Sequence, residues 1–211
     1  MRKIEKINLI LNYLEEILPN AKCELNYNND YELLIAVMLS AQTTDKKVNA
    51  ITPILFGKYK SLEELSLADV KDIEKIIHSI GLYKNKAKNV VLIAKDLLNK
   101  FDGKVPFEYE DLTSLSGVGR KTSNVIRAEL FNIPAIAVDT HVERISKRLL
   151  LAENDDSPYQ VEMKLEKTFP KSLHIKIHHQ FIHFGRYYCL ARNPKCETCK
   201  LKDICSHFKL K

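Results

Sequence analysis

The sequence predicts an all-α fold. Apolar residues recur at helical spacing along most of the chain, and the segments so formed are separated by turn-forming Pro, Gly, Asn and Asp. Only short pieces such as Ala135-Ile136-Ala137-Val138 resemble a strand, and four residues do not make a sheet. Helices are expected at about residues 2–18, 31–41, 45–56, 62–78 (with a break), 84–101, 108–115, 121–131, 140–151, 157–168 and 172–190. The separators are Pro19-Asn20, Asn28-Asn29-Asp30, Gly81, Asp102-Gly103, Gly117-Val118-Gly119, Ile133-Pro134, Asn154-Asp155-Asp156 and Phe169-Pro170.

In the first helix Ile4, Ile7, Leu11, Leu14 and Leu18 alternate with charges, which describes an amphipathic helix and not a signal peptide. A cytoplasmic location is the resulting expectation. The next helix, Tyr31 to Leu39, is almost wholly apolar and should be buried on all sides. It runs into Ser40-Ala41-Gln42-Thr43-Thr44-Asp45, where Thr44 or Asp45 can cap the helix that follows. Gln42 reads most simply as an exposed linker residue. Leu82, in the turn Ser79-Ile80-Gly81-Leu82-Tyr83-Lys84 ahead of a basic helix, reads most simply as core.

Two of the chain's six glycines fall in Leu115-Ser116-Gly117-Val118-Gly119-Arg120-Lys121-Thr122. A helix, a Gly-Val-Gly turn and a second helix follow one another here, with Val118 able to tuck between the helices and Val125 and Ile126 on the apolar side. The glycines permit positive φ and close approach of another backbone. Such a turn points amides outward at a helix N-terminus and so makes an anion site, although glycines also serve ordinary tight turns. Lys121 sits in the first helical turn, where the dipole favours anions instead. Further on, Asp139 precedes the helix beginning at Thr140, as an N-cap should; a helix N-terminus also favours the ionised form of a carboxylate there.

Composition limits the partners. The 211 residues suit one large domain or two small ones, 45% are hydrophobic, and no run of eighteen apolar residues provides a membrane span. The net charge of +6 is uneven: residues 171–211 hold nine Lys and Arg against Glu197 and Asp203, a local +7, so the other 170 residues sum to −1. A polyanion is the partner that this excess fits.

The same segment holds four of the five cysteines: Cys189, Cys196, Cys199 and Cys205, spaced Cys-x6-Cys-x2-Cys-x5-Cys. Without a secretory signal, and with Cys196 and Cys199 too close for an easy bridge, they read as metal ligands. Zinc favours tighter paired knuckles and an iron–sulfur cluster tolerates an uneven wrap, so spacing leaves both open. The loop between the first two carries Arg192 and Lys195 and suits a phosphate. Cys23 stands apart and is expected to be a buried thiol.

Together LLIAVMLSAQTTD (33–45), IGLYKNKAKNV (80–90), LSGVGRKTSNV (115–125), IAVDTHVERISKRL (136–149) and GRYYCLARNPKCETCKLKDIC (185–205) resemble the endonuclease III family of DNA repair glycosylases, within the helix-hairpin-helix superfamily. The likeness covers nearly the whole chain. It implies two helical lobes with a DNA-binding cleft, one a six-helix barrel of residues 24–132 carrying the hairpin. The other would join residues 1–23 with 133–211 and hold a [4Fe–4S] cluster on Cys189, Cys196, Cys199 and Cys205.

The implied activity is that of a bifunctional glycosylase and AP lyase acting, as a monomer, on double-stranded DNA with oxidised pyrimidines or abasic sites. The damaged base must leave the stack, and Gln42 and Leu82 match the family's gap-filling residues. Lys121 would attack C1′ as a neutral amine and form a Schiff base; the helix N-terminus, Arg120 and partial burial are expected to favour that form. Asp139 would activate Lys121 and stabilise positive charge at the sugar. Gly117, Gly119 and Arg120 would hold a backbone phosphate, as would Arg192 and Lys195 on the cluster loop.

Related adenine glycosylases lack the hairpin lysine and carry a glutamate near position 36, where this chain has Ala36, which disfavours their chemistry. Arg127-Ala128-Glu129 departs from the small, apolar run usual in the family; the two charges are expected on a solvated face. The alternatives are a monofunctional glycosylase of the same fold, a non-catalytic hairpin DNA-binding protein and an iron–sulfur electron carrier.

Overall fold

The computed structural model describes residues 2–209; Met1, Leu210 and Lys211 lie outside them, including the Lys211 charge counted in the basic tail. The chain divides into two compact units, Glu24–Phe131 and the combination of Met1–Cys23 with Asn132–Lys211. Among the described residues there is no strand, and no helix is long and apolar enough to cross a membrane.

The N-terminal helix α1 (Lys3–Ile17) belongs to the second of these units. The Glu24–Phe131 unit holds α2 (Asp30–Leu39), α3 (Asp45–Lys58), α4 (Leu62–Ser66), α5 (Val70–Ile77), α6 (Tyr83–Lys100), α7 (Tyr109–Ser114) and α8 (Arg120–Phe131). Asn29 starts α2 by accepting the Glu32 amide at 3.0 Å, and the Glu32 carboxylate turns back to the Asn28 amide at 2.8 Å. Every residue from Glu32 to Leu39 is buried. A helix apolar on all sides has to be surrounded, and α2 packs on α3, α6 and α8. Thr44 caps α3 through the Lys47 amide. The break expected within 62–78 falls at residues 67–69, between a helix capped by Ser61 and one capped by Asp69.

In the second unit α1 buries Ile10, Tyr13 and Leu14, while Ile4 on its first turn is 72% exposed. The elements that follow are α9 (Thr140–Arg148), α10 (Pro158–Thr168), a 3₁₀ turn at Lys171–Leu173, α11 (His174–Tyr187), a second 3₁₀ turn at Lys202–Ile204 and α12 (Ser206–Lys209). The last two are too short to show an apolar period. Helix α9 stops before residue 151 because Leu150 turns left-handed, φ 52°. Its core gathers Val142, Ile145, Leu165, Ile177, Phe181 and Phe184.

Gly185 sets the crossing of α9 and α11. A Cβ there would lie 2.7 Å from the His141 Cβ and 3.0 Å from the Ile145 Cδ1, so only glycine allows the two helices to come this close.

Candidate functional site

In the hairpin, α7 and α8 pack on each other with Leu112, Leu115, Val118 and Ile126 buried. Gly117 alone of the two hairpin glycines is left-handed, φ 76°, and a Cβ on it would stand 2.3 Å from the Asn89 Nδ2. Gly119 is neither left-handed nor crowded: among the described residues, its chain neighbours aside, nothing lies within 4 Å of where its Cβ would be. Of the expected positive φ and close backbone approach, only the positive φ is met, and only at Gly117, whose near neighbour is the Asn89 side chain and not another backbone. At the N-terminus of α8 the Ser123 amide donates to the Gly119 carbonyl at 2.9 Å, the first backbone bond that closes this helix onto the hairpin turn. The Arg120 guanidinium lies over the Tyr109 ring, 5.6 Å from its centroid.

Lys121 is exposed, not partly buried as expected, because burial on α8 begins only at Ser123. Arg127 and Glu129 correct the opposite expectation. Both are half-buried, Arg127 one turn beyond the buried Ser123 and Asn124, and the Arg127 Nε is buried without a hydrogen-bond partner among the described residues.

Gln42 and Leu82 are both exposed and both left-handed, at φ 55° and 58°. Leu82, 57% exposed, is therefore not the core residue that its chemistry alone suggests. The two turns adjoin within this unit: a Cβ on Gly81 would lie 3.7 Å from the Gln42 carbonyl oxygen. Cys23, in the other unit, is half-buried, short of the buried thiol expected of it.

In the second unit the buried run Ala135–Val138 leads into Asp139, whose Oδ1 accepts the amides of His141 and Val142, each at 2.8 Å. The capping role predicted for Asp139 is thus realised. Burial pushes the His141 imidazole below its ordinary range, outweighing the opposing charge of Asp139, and Arg144 and Arg186 lower it further. Two arginines on α9, one turn apart, were missed from the sequence. Arg144 Nη2 donates to the Gly185 carbonyl at 2.8 Å and the Cys189 carbonyl at 3.1 Å. Arg148 Nη1 donates to the Leu190 carbonyl at 2.8 Å and approaches the Cys189 Sγ at 3.2 Å. Their i, i+4 spacing directly after the Asp139 cap was the available signal.

Cys189, Cys196, Cys199 and Cys205 are free thiols lining one pocket with Tyr13, Arg148, Phe184, Tyr188 and Leu201. Among the described residues no three ligand side chains converge as they would on a single metal ion. Four sulfurs ringing a largely apolar pocket fit a multi-iron cluster better than a lone zinc. Burial pushes the Cys189 and Cys199 thiols up, so ligation would release their protons. On the loop between the first two cysteines, Arg192 and Lys195 are exposed, and the Lys195 ammonium lies 5.6 Å from the centroid of the Tyr188 ring.

A helical hairpin with a lysine on its first turn, together with a C-terminal ring of four cysteines, defines a class. The pattern of the HhH-GPD superfamily of base excision DNA repair proteins matches residues 35–171, and that of the iron–sulfur binding domain of endonuclease III matches residues 189–205. Endonuclease III of Bacillus subtilis (strain 168) is 44% identical over 205 residues, covering 97% of this chain and 94% of that protein. Endonuclease III of Escherichia coli (strain K12) is 40% identical over 207 residues, covering 98% and 97%. A solved structure of a trapped endonuclease III–DNA covalent intermediate, an estranged-adenine complex, superposes with a TM-score of 0.95 at 45% identity, covering 100% of this chain and 98% of the other. A thermostable thymine-DNA glycosylase shares the fold, with a TM-score of 0.85 at 23% identity. The chain belongs to the endonuclease III family of the HhH-GPD superfamily and carries its iron–sulfur binding domain.

Proposed function

We propose that this chain excises oxidised pyrimidines from double-stranded DNA as a monomeric, bifunctional N-glycosylase and AP lyase, with Lys121 as nucleophile. The observation that carries this reading is the likeness, along the entire chain, to an endonuclease III trapped covalently on DNA, combined with an exposed lysine on the first turn after the hairpin.

Gln42 and Leu82 stand out from adjoining turns and would fill the space that the damaged nucleotide leaves as it is extruded, offsetting the lost stacking. The hairpin around Gly117, Gly119 and Arg120 would grip a backbone phosphate at the N-terminus of α8, fixing register without reading sequence. Lys121 Nζ then bonds to C1′ as the N-glycosidic bond breaks, and the base departs with the electron pair and takes up a proton. Ring opening gives the Schiff base. Loss of a C2′ proton expels the 3′ phosphate, and water releases the enzyme.

Asp139 is held at the cap of α9 through Oδ1, and among the described residues its Oδ2 makes no hydrogen bond. We assign to that carboxylate the activation of Lys121 and the stabilisation of positive charge at the sugar. Cys189, Cys196, Cys199 and Cys205 would hold a [4Fe–4S] cluster, which would cross-link the C-terminal segment, and Arg192 and Lys195 on the loop so braced would meet a further phosphate.

The test is borohydride trapping on a duplex with a single thymine glycol, with Lys121→Gln in parallel. A covalent adduct formed by the wild type and lost in the variant is expected. Base release without an adduct would make the enzyme monofunctional. Binding without any product would leave a DNA-binding module.

A further inference from the structure

Lys86 is 4% exposed on α6, and its ammonium has three acceptors: the Leu39 carbonyl at 2.9 Å, the Ala41 carbonyl at 2.7 Å and the Thr43 Oγ1 at 3.0 Å. Three donors meet three acceptors. Leu39 O lies at the C-terminus of α2, where carbonyls lack helical partners and a positive charge is favoured. Ala41 and Thr43 are the residues on either side of Gln42. The Lys86 amide also donates to the Leu82 carbonyl, at 3.0 Å. The Lys86 side chain thus joins the Gln42 turn to the first turn of the helix that Leu82 opens; the backbone bond to Leu82 is the ordinary first bond of α6, so the link between the two turns is the ammonium.

That link has a conformational purpose. A left-handed conformation is sterically costly for a non-glycine residue, and both Gln42 and Leu82 are exposed, with little packing to impose it. The flanks of Gln42 are held by the ammonium, by the Thr43 amide on the Ser40 carbonyl at 3.0 Å and by the Ala41 amide on the Met38 carbonyl. Only a compact ammonium can meet three acceptors converging on a point; a neutral amide has too few donors and a guanidinium spreads its own in a plane.

We propose that Lys86 is a positioning residue for base extrusion: it pre-forms the Gln42 and Leu82 turns as one wedge, so that the strain is met during folding and not when the duplex is opened. This rests on the reading that the two side chains enter the duplex.

The test compares excision of thymine glycol from a fully paired duplex with excision of the same lesion from an unpaired bubble, for wild type and Lys86→Met. A preformed wedge matters where the stack has to be opened. Lys86→Met is expected to slow the paired substrate about tenfold to a hundredfold, the cost of a misplaced positioning group, and to leave the bubble rate near that of wild type. A merely structural role slows both alike; that result, or no loss on either, overturns the inference. If Lys86→Met does not fold, Thr43→Val removes one acceptor from an accessible turn and should lower the paired-to-bubble ratio several-fold; an unchanged ratio overturns the inference. A wild type that fails on both substrates and traps no adduct overturns the proposed function and the inference with it, whereas an active wild type with equal losses in the variant overturns the inference alone.

Discussion

In the Glu24–Phe131 unit three candidate functional residues, Gly117, Gln42 and Leu82, are left-handed, and the side chain that braces the Gln42 turn from the core, Lys86, finds all its acceptors within the folded protein. In the other unit the positioning is done by side chains that cross to carbonyls, with Arg144 and Arg148 reaching from α9 to residues 185–191. There the chain brings four thiols around one pocket, two of them disfavoured as thiolates by burial. The first arrangement is complete as folded protein. The second is completed by a group that the chain does not encode, so its stability and its cofactor are linked.

The sharpest way to break this contrast is to remove a ligand. Cys199→Ser should abolish the visible absorption of the cluster and destabilise the second unit by at least about 2.7 kcal/mol, the stabilisation given by a ligand present at a hundred times its dissociation constant. Hydrogen exchange resolved by segment checks it: α9, α11 and the residues after 188 should lose protection while α2, α6 and α8 keep theirs. Uniform loss would show that the hairpin unit is not self-sufficient.

The hairpin offers the next largest effect. Gly117→Ala has to adopt φ 76° and push aside Asn89, so thermal unfolding should show a loss of about 1–3 kcal/mol. Gly119→Ala meets nothing within 4 Å and needs no unusual φ. Its stability should stay within about 0.5 kcal/mol of wild type, while its affinity for duplex DNA falls, because the new methyl would occupy the approach of a phosphate. Equal stability losses in the two variants would refute the division of labour between these glycines.

That division also marks how far the sequence could be read. The buried helix α2, the hairpin and the Asp139 cap were legible because each depends on residues near in sequence: an unbroken apolar run, a Gly-x-Gly turn, a carboxylate ahead of a helix. The cysteine set was legible as a metal site because sulfur spacing carries its own chemistry, although the choice between zinc and iron–sulfur required the family resemblance. Lys86 was not legible. In sequence it is one of three lysines, with Lys84 and Lys88, on a basic helix, and its acceptors lie more than forty residues away. Arg144 and Arg148 were hidden for the same reason. The exposure of Lys121 and the half-burial of Arg127 depend on where the packing of α8 begins, which apolar periodicity does not resolve.

Gly185 tests the second unit from within. Gly185→Ala would overpack the α9–α11 crossing against His141 and Ile145 and should cost about 1–3 kcal/mol in thermal unfolding. A variant as stable as wild type would mean that this crossing yields easily, contrary to a unit positioned by long-range contacts.

The smallest effect concerns Asp156, whose Oδ2 accepts both the Lys164 ammonium and the Glu153 amide at 2.6 Å. Lys164 holds the carboxyl below its ordinary value, more than offsetting burial, and the Glu153 amide adds to the lowering. A folded pKa below the unfolded one means that the unfolded chain binds the proton more readily. The stabilisation is therefore present above the ordinary carboxylate value of about 3.9 and disappears as pH falls through the lower folded value. Asp156→Asn should be less stable than wild type at pH 7, and the gap should close as the pH is lowered through that window, followed by urea unfolding at fixed temperature. A gap that does not change with pH would assign the effect to the hydrogen bond with Glu153, a turn contact like those in the hairpin unit, and not to the ion pair with α10.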